Sequence, residues 1–271
     1  MAFKICITRR HSENRHADLT YTVSQVQAAP RKSVVQVYFA DRNTTLAYYN
    51  DRFELHRGDM VYVDGKLEGI CGRVTEISYN FKIKVSDYKR VIAVADTAVH
   101  GRFFMAGSHF VTFDRGALPG SKVITWLRAP TMADDEFVCG SDGSAFCLDD
   151  LSGMKVSPAI AGRGRDYYVE NRVRYISING TNGYAIVEGS EAYEVEFEYR
   201  NGEISRLTCS CFCGYPCKHE FAAMLQLRET LNLIKNQYGN EYKRTGYFAA
   251  INKGTLFAFA VDGREHGTFT L

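Results

Sequence analysis

The stretch Cys209-Ser210-Cys211-Phe212-Cys213-Gly214-Tyr215-Pro216-Cys217-Lys218-His219 places four cysteines and a histidine in eleven positions. Donors at this density suit zinc, which takes four thiolate or imidazole ligands in a tetrahedron at about 2.0–2.3 Å. A Cys-x-Cys pair at a turn offers two sulfurs to one ion, and a Cys-x-His pair entering a helix supplies the other two. Gly214 and Pro216 suit the reversal between the pairs, since glycine permits unusual dihedrals and proline fixes its own. The expected ligands are Cys209, Cys211, Cys217 and His219, holding one structural Zn2+. Four protein donors leave no position open for water, which disfavours catalysis at such an ion. Cys213 lies inside the gap, where it either replaces a neighbour as ligand or stands as an exposed thiol; the second is favoured. The alternative for the whole cluster is a set of unmetallated thiols, which the spacing disfavours.

Working outward, Tyr193-Glu194-Val195-Glu196-Phe197-Glu198-Tyr199 alternates apolar and acidic residues with the period of a half-buried strand. Arg200-Asn201-Gly202 follows as a hairpin turn, because Asn and Gly accept the positive φ of a type I′ turn. Residues 204–208 return as its partner and lead into the cysteines. Upstream, residues 173–178 and 184–187 form a second hairpin around Gly180-Thr181-Asn182-Gly183. After the cysteines comes the one convincing helix, over residues 220–234, with Met224, Leu227, Leu231 and Ile234 on one face. Residues 247–251 and 255–261, joined by Asn252-Lys253-Gly254, predict a final β-hairpin.

The Cys-x-Cys, short gap, Cys-x-His string resembles the SWIM zinc-finger family, found in bacterial Swi/Snf-type ATPases and plant MuDR-type transposases. Arg163-Gly164-Arg165-Asp166-Tyr167-Tyr168, Arg172-Val173 and residues 187–195 are similar to the strand region that precedes the finger in bacterial members. The resemblance covers roughly residues 160–235, about a quarter of the chain. It implies a zinc-binding module acting in DNA binding or protein–protein contact, and Cys213 is its departure from the pattern.

The first 98 residues read as short strands at about ten-residue spacing: 4–7, 34–40, 46–49, 60–63, 73–77, 81–85 and 91–94. That spacing predicts a small antiparallel β-barrel. Gly58-Asp59-Met60-Val61-Tyr62-Val63-Asp64-Gly65-Lys66-Leu67-Glu68-Gly69-Ile70-Cys71-Gly72-Arg73-Val74 resembles the KOW motif of SH3-like barrels in transcription and ribosomal proteins. Lys82, Lys84, Lys89 and Arg90 lie just beyond it, interleaved with Phe81 and Tyr88, as suits an RNA or single-strand ligand. Alternation alone predicts Lys82 and Lys84 as the solvated face of a strand whose other face holds Phe81, Ile83 and Val85, and that reading is favoured. Lys218 and Arg228 join them as candidate phosphate contacts.

Residues 99–150 predict a β-strand extension (110–113 and 122–127) and an acidic connector carrying Asp134-Asp135-Glu136. The expected organisation is thus 1–98 barrel, 99–150 extension, 151–235 zinc module and 236–271 hairpin, a β-rich α+β protein. The 271 residues carry 33 basic and 31 acidic groups, too balanced for a dominant polyanion binder. Residues 1–98 hold 15 basic against 11 acidic groups, so a local footprint fits there, whereas residues 151–235 balance at 10 and 10. No apolar run approaches the roughly 20 residues of a membrane span, and eight cysteines without a signal-peptide pattern suit metal or free thiols in the cytoplasm. Cys139 and Cys147 are expected to be buried thiols.

Phosphate-loop, H-E-x-x-H and G-x-S-x-G strings are absent, and Ser108-His109 alone makes no triad. The expectation is a non-enzymatic, zinc-binding, nucleic-acid-associated adaptor with no small-molecule substrate. Its competitor is a protein-interaction scaffold, and the resemblance names a Swi/Snf-type ATPase or another DNA-processing enzyme as its partner.

Overall fold

The computed structural model describes residues 30–130, 140–141, 143–213 and 216–261. The expected strand at 4–7, Cys6, Cys139, the acidic run at 134–136 and Gly214 lie outside them.

β1 (Ser33–Phe39), β2 (Thr44–Asn50), β3 (Met60–Val63), β4 (Gly72–Ser78) and β5 (Val91–Ala95) form an antiparallel sheet in the order β2-β1-β4-β3-β5. β1 alternates: Val35, Val37 and Phe39 are buried while the residues between them are half-exposed. Those three pack with Tyr48, Leu55, Val61, Val74 and Val91 into one core. Gly72 is required there, because a Cβ would sit 2.5 Å from Val37 and 2.6 Å from Phe39. The edge strands meet at one bridge, Tyr49 with Arg90, where the Tyr49 N–H donates to the Lys89 carbonyl at 2.9 Å. The sheet curls toward a barrel and does not close. The expected closed barrel is corrected to an open sheet. Residues 81–85 are not a strand either; they run as irregular chain into a short 3-10 turn, Val85–Asp87.

The remaining strands are β6 (Phe104–Ala106), β7 (His109–Thr112), β8 (Ala145–Cys147), β9 (Val173–Asn179), β10 (Asn182–Glu188), β11 (Ala192–Arg200), β12 (Glu203–Cys209) and β13 (Tyr247–Asn252). They build an eight-stranded antiparallel sheet in the order β6-β7-β13-β9-β10-β11-β12-β8. This sheet draws strands from all three segments after residue 98. Its edges are three-residue strands, which limits the unpaired backbone open to other chains.

Its two faces carry two cores. Ile176, Ile178, Ala185, Val187, Val195, Phe197 and Phe248 point to the face covered by α3 (Lys218–Gln237), while Tyr175, Ile186, Tyr247, Ala249 and Ile251 point to the other. The second face receives α1 (Gly120–Leu127) through Val123 and Trp126, and Met60, Tyr62 and Ala95 of the first sheet. β3 is therefore buried on both sides: Val61 and Val63 serve the first core, and Met60 and Tyr62 serve the contact between the sheets.

Residues 122–127, expected as a strand from their β-branched content, are helical in α1. Val123 and Trp126 lie three apart and face one core, so tertiary burial overrides local propensity. Residues 163–168 are also helical, in α2 (Pro158–Val169), rather than part of a strand region. The Ser157 hydroxyl caps that helix by accepting from the Ile160 N–H at 3.3 Å, with Pro158 at its first position. α2 crosses α3 at Gly164, where a Cβ would lie 2.8 Å from Phe221 Cβ and 2.9 Å from the Lys218 carbonyl.

α4 (Gly239–Thr245) follows α3, and the expected C-terminal hairpin is absent. After β13, Asn252 accepts from the Thr255 N–H at 3.2 Å and starts α5 (Lys253–Leu256), which widens into a π-helical turn over Phe257–Val261. Leu256 and Ala260, four apart, then bury on the second face of the sheet. Among the described residues no helix is long and apolar enough to cross a membrane.

Candidate metal centre

β12 ends at Cys209, the chain turns through Cys211, and α3 begins with Cys217 as its cap and His219 in its first turn. One ligand atom from each of Cys209, Cys211, Cys217 and His219 lies within 4.8 Å of every other. His219 Nδ1 is 3.8 Å from Cys209 Sγ and 3.7 Å from Cys217 Sγ. A tetrahedron with the bond lengths zinc prefers has sulfur–nitrogen edges of about 3.6 Å, so the group has the dimensions of one ion's ligand shell. Three of the four residues are buried, which shields the site from water.

The helix start is held by a reciprocal cap. The Cys217 N–H donates to Glu220 Oε2 at 2.6 Å, and the Glu220 N–H donates to Cys217 Sγ at 3.5 Å. Burial, then the neighbouring Cys217 sulfur, pushes the Glu220 carboxyl up to about 8. Among the sulfurs, the hydrogen bond between Cys209 and Cys217 raises the pKa of the first and lowers that of the second, with the His219 ring also favouring the Cys217 thiolate. Burial raises Cys211, against a backbone hydrogen bond from Cys213. Several sulfurs crowded together cannot all ionise without a cation, and a divalent ion supplies one.

The His219 ring is fixed from outside the cluster. Tyr193 stacks on it with centroids 4.3 Å apart, and Tyr167 lies at 5.5 Å. Gly189 completes the enclosure, since a Cβ there would be 3.2 Å from His219 Nε2 and 2.9 Å from Tyr193. His219 Nε2 is buried without a hydrogen-bond partner, while Nδ1 faces the sulfurs. Residue spacing gave no sign of this aromatic enclosure; only the pairing of β10 with β11 brings Gly189 and Tyr193 over the helix start.

Cys213 is exposed and outside the ligand group, as is Cys147, whose expected burial is corrected. His109 is wholly buried: Nδ1 lies 3.1 Å from Ser108 Oγ and Nε2 3.0 Å from the Val173 carbonyl, so it braces β7 against β9. Burial lowers its pKa to about 4.

The six candidate phosphate contacts fall into two groups. Lys82, Lys84, Lys89 and Arg90 lie in the connection between β4 and β5 of the first sheet, and Lys218 and Arg228 lie in α3. Arg90 is committed to Asp51, lies 5.2 Å over the Tyr49 ring, and is only partly exposed. Lys84 pairs with Asp87 at 4.0 Å, Arg228 reaches the Asp149 carbonyl at 3.4 Å, and Lys218 Nζ lies 4.4 Å over the Tyr167 ring. Lys82 and Lys89 are exposed.

No family model, curated protein or solved structure matches the chain. Fold and site together define a β-rich protein of two antiparallel sheets with a Cys3His group that could hold a metal ion.

Proposed function

We propose that the Cys3His group holds one structural zinc ion in a non-enzymatic adaptor that associates with nucleic acid. The observation that carries the metal half is the convergence of four ligand atoms within 4.8 Å from two segments separated by a loop. Three sulfurs and an imidazole are a donor set zinc favours over magnesium or calcium, which take oxygen. The ion would tie the end of β12 to the start of α3, and with every tetrahedral position filled by protein it would offer no site for substrate. The resemblance to SWIM fingers supports the same role.

The nucleic-acid half rests on the basic excess of residues 1–98 and on the exposed lysines of the β4–β5 connection. The test combines metal analysis of purified protein with titration by single-stranded DNA, duplex DNA and RNA at two salt concentrations. One zinc per chain and affinity that falls steeply with salt are the expected results.

A protein-interaction scaffold is the second reading, and the balanced charge of residues 151–235 favours it, together with the engagement of Lys218 and Arg228 inside the molecule. One zinc without binding to any polynucleotide would select it.

A further inference from the structure

Segment 79–90 carries four basic residues and one acidic residue. Residues 79–88 run between β4 and β5 as irregular chain and a 3-10 turn, and only Lys89 and Arg90 at the segment's end pair with the sheet, through Tyr49 and Asp64. Tyr49, at the end of β2, gathers both halves of this segment: its ring meets Phe81 edge-on at 6.2 Å, and its N–H donates to the Lys89 carbonyl. The chain entering β1 joins the same corner, because the Arg31 guanidinium lies 4.1 Å over the Tyr79 ring.

Arg31, Lys32, Lys82 and Lys89 are all exposed there, and three of the nearby carboxylates are engaged elsewhere. Asp51 pairs with Arg90, the Asp64 carboxylate accepts the Arg90 N–H at 2.6 Å, and Asp87 pairs with Lys84. Tyr79 is 41% exposed, and Val85, further along the segment, is 39% exposed. Among the described residues these four cations form no ion pair with a carboxylate, and cations so placed around a partly exposed aromatic ring match a phosphate backbone with unpaired bases.

Resting on the nucleic-acid reading above, we infer that this corner of the first sheet, formed by Arg31, Lys32, Tyr79, Lys82 and Lys89, is a binding surface for single-stranded nucleic acid. The lysines and Arg31 contact phosphates, and Tyr79 stacks on a base. Duplexes bind less well, because their bases are already stacked on one another. Arg90, Lys218 and Arg228 take no part.

The test is fluorescence anisotropy of full-length protein with labelled 12-nucleotide RNA and DNA strands and the matching duplex, across a salt series. Single strands bind more tightly than duplex. Lys82→Glu with Lys89→Glu weakens binding at least tenfold and reduces the slope of log affinity against log salt by about 1.4, at about 0.7 per phosphate contact. Tyr79→Ala weakens it about tenfold with the slope unchanged, the signature of stacking. Lys243→Glu with Arg244→Glu, an equal charge change on exposed residues of α4, leaves binding within about twofold at the same salt. Circular dichroism confirms that each variant is folded, and Lys82→Gln with Lys89→Gln replaces the reversal if it is not.

Salt-sensitive binding that persists in the Lys82/Lys89 and Tyr79 variants overturns this inference and leaves the nucleic-acid reading standing. Failure of the wild-type protein to bind any strand overturns both. Binding to phosphatidylserine vesicles without binding to oligonucleotides would assign the corner to a membrane surface and likewise overturn it.

Discussion

The two sheets are built by opposite strategies. All five strands of the first fall within residues 33–95, and its core comes from those strands and their connections. The second inserts β13 between β7 and β9 and pairs β8 with β12, joining strands far apart in sequence. It also needs helices on both faces, and its Cys3His group lies where β12 hands over to α3. A sheet made of near neighbours closes its own core. One made of distant strands depends on ties between segments, and the Cys3His group, His109 and the α2–α3 crossing supply them.

Removing the tie at the ligand group gives the largest expected effect. Chelation, or Cys217→Ser, should cost several kcal/mol, less than the roughly 10–16 kcal/mol of isolated zinc-finger peptides, because α3 keeps its apolar contacts with the sheet. Hydrogen exchange should show lost protection around residues 205–225 while Val35, Val61 and Val74 stay protected. Equal loss in both sheets would break the comparison.

His109 ties β7 to β9 across β13, and its contribution depends on pH. Its folded pKa is about 4 against an ordinary 6.5, so the unfolded chain binds the extra proton between those values. Stability from this group is complete above about pH 6.5 and declines as pH falls toward 4, by about 3 kcal/mol at most. The His109 ring resonances should remain those of neutral imidazole down to pH 5; a titration midpoint near 6.5 would contradict its burial.

Gly164→Ala should cost about 2 kcal/mol, since the added methyl meets the Lys218 carbonyl and Phe221 and must push α2 from α3. It should also weaken metal affinity, because Lys218 sits between two residues of the Cys3His group. Gly72→Ala, crowded by Val37 and Phe39, should cost a similar amount and leave metal affinity unchanged. Paired denaturation and metal titration of the two variants separate the sheets cleanly.

The smallest effects concern ion pairs. Arg90→Ala leaves the half-buried Asp51 carboxylate without its partner and should cost about 1–2 kcal/mol. Arg206→Ala, which removes an exposed partner of Glu198, should stay under about 0.5 kcal/mol by the same denaturation assay.

How much of this was legible in the sequence follows the same division. Local pairings were readable: the β11–β12 hairpin turns at Asn201 and Gly202, with φ of 51° and 90°, as that dipeptide demands. The ligand group was readable too, because its spacing alone carries the chemistry. The position of β13 was not, since nothing local to residues 247–252 specifies β7 and β9 as neighbours. α2 escaped notice because two glycines dilute its helical pattern, and the need for Gly164 exists only once α3 is beside it. Residues 122–127 misled because Val123, Ile124 and Thr125 favour a strand until Trp126 has a core to enter.

The most direct test of the central claim is native mass spectrometry of the intact chain beside three cysteine variants. One zinc should accompany the wild type and Cys213→Ser, and none should remain on Cys211→Ser or Cys217→Ser. A metal-free wild type, or a chain that loses its ion with Cys213 and keeps it without Cys211, would contradict the account.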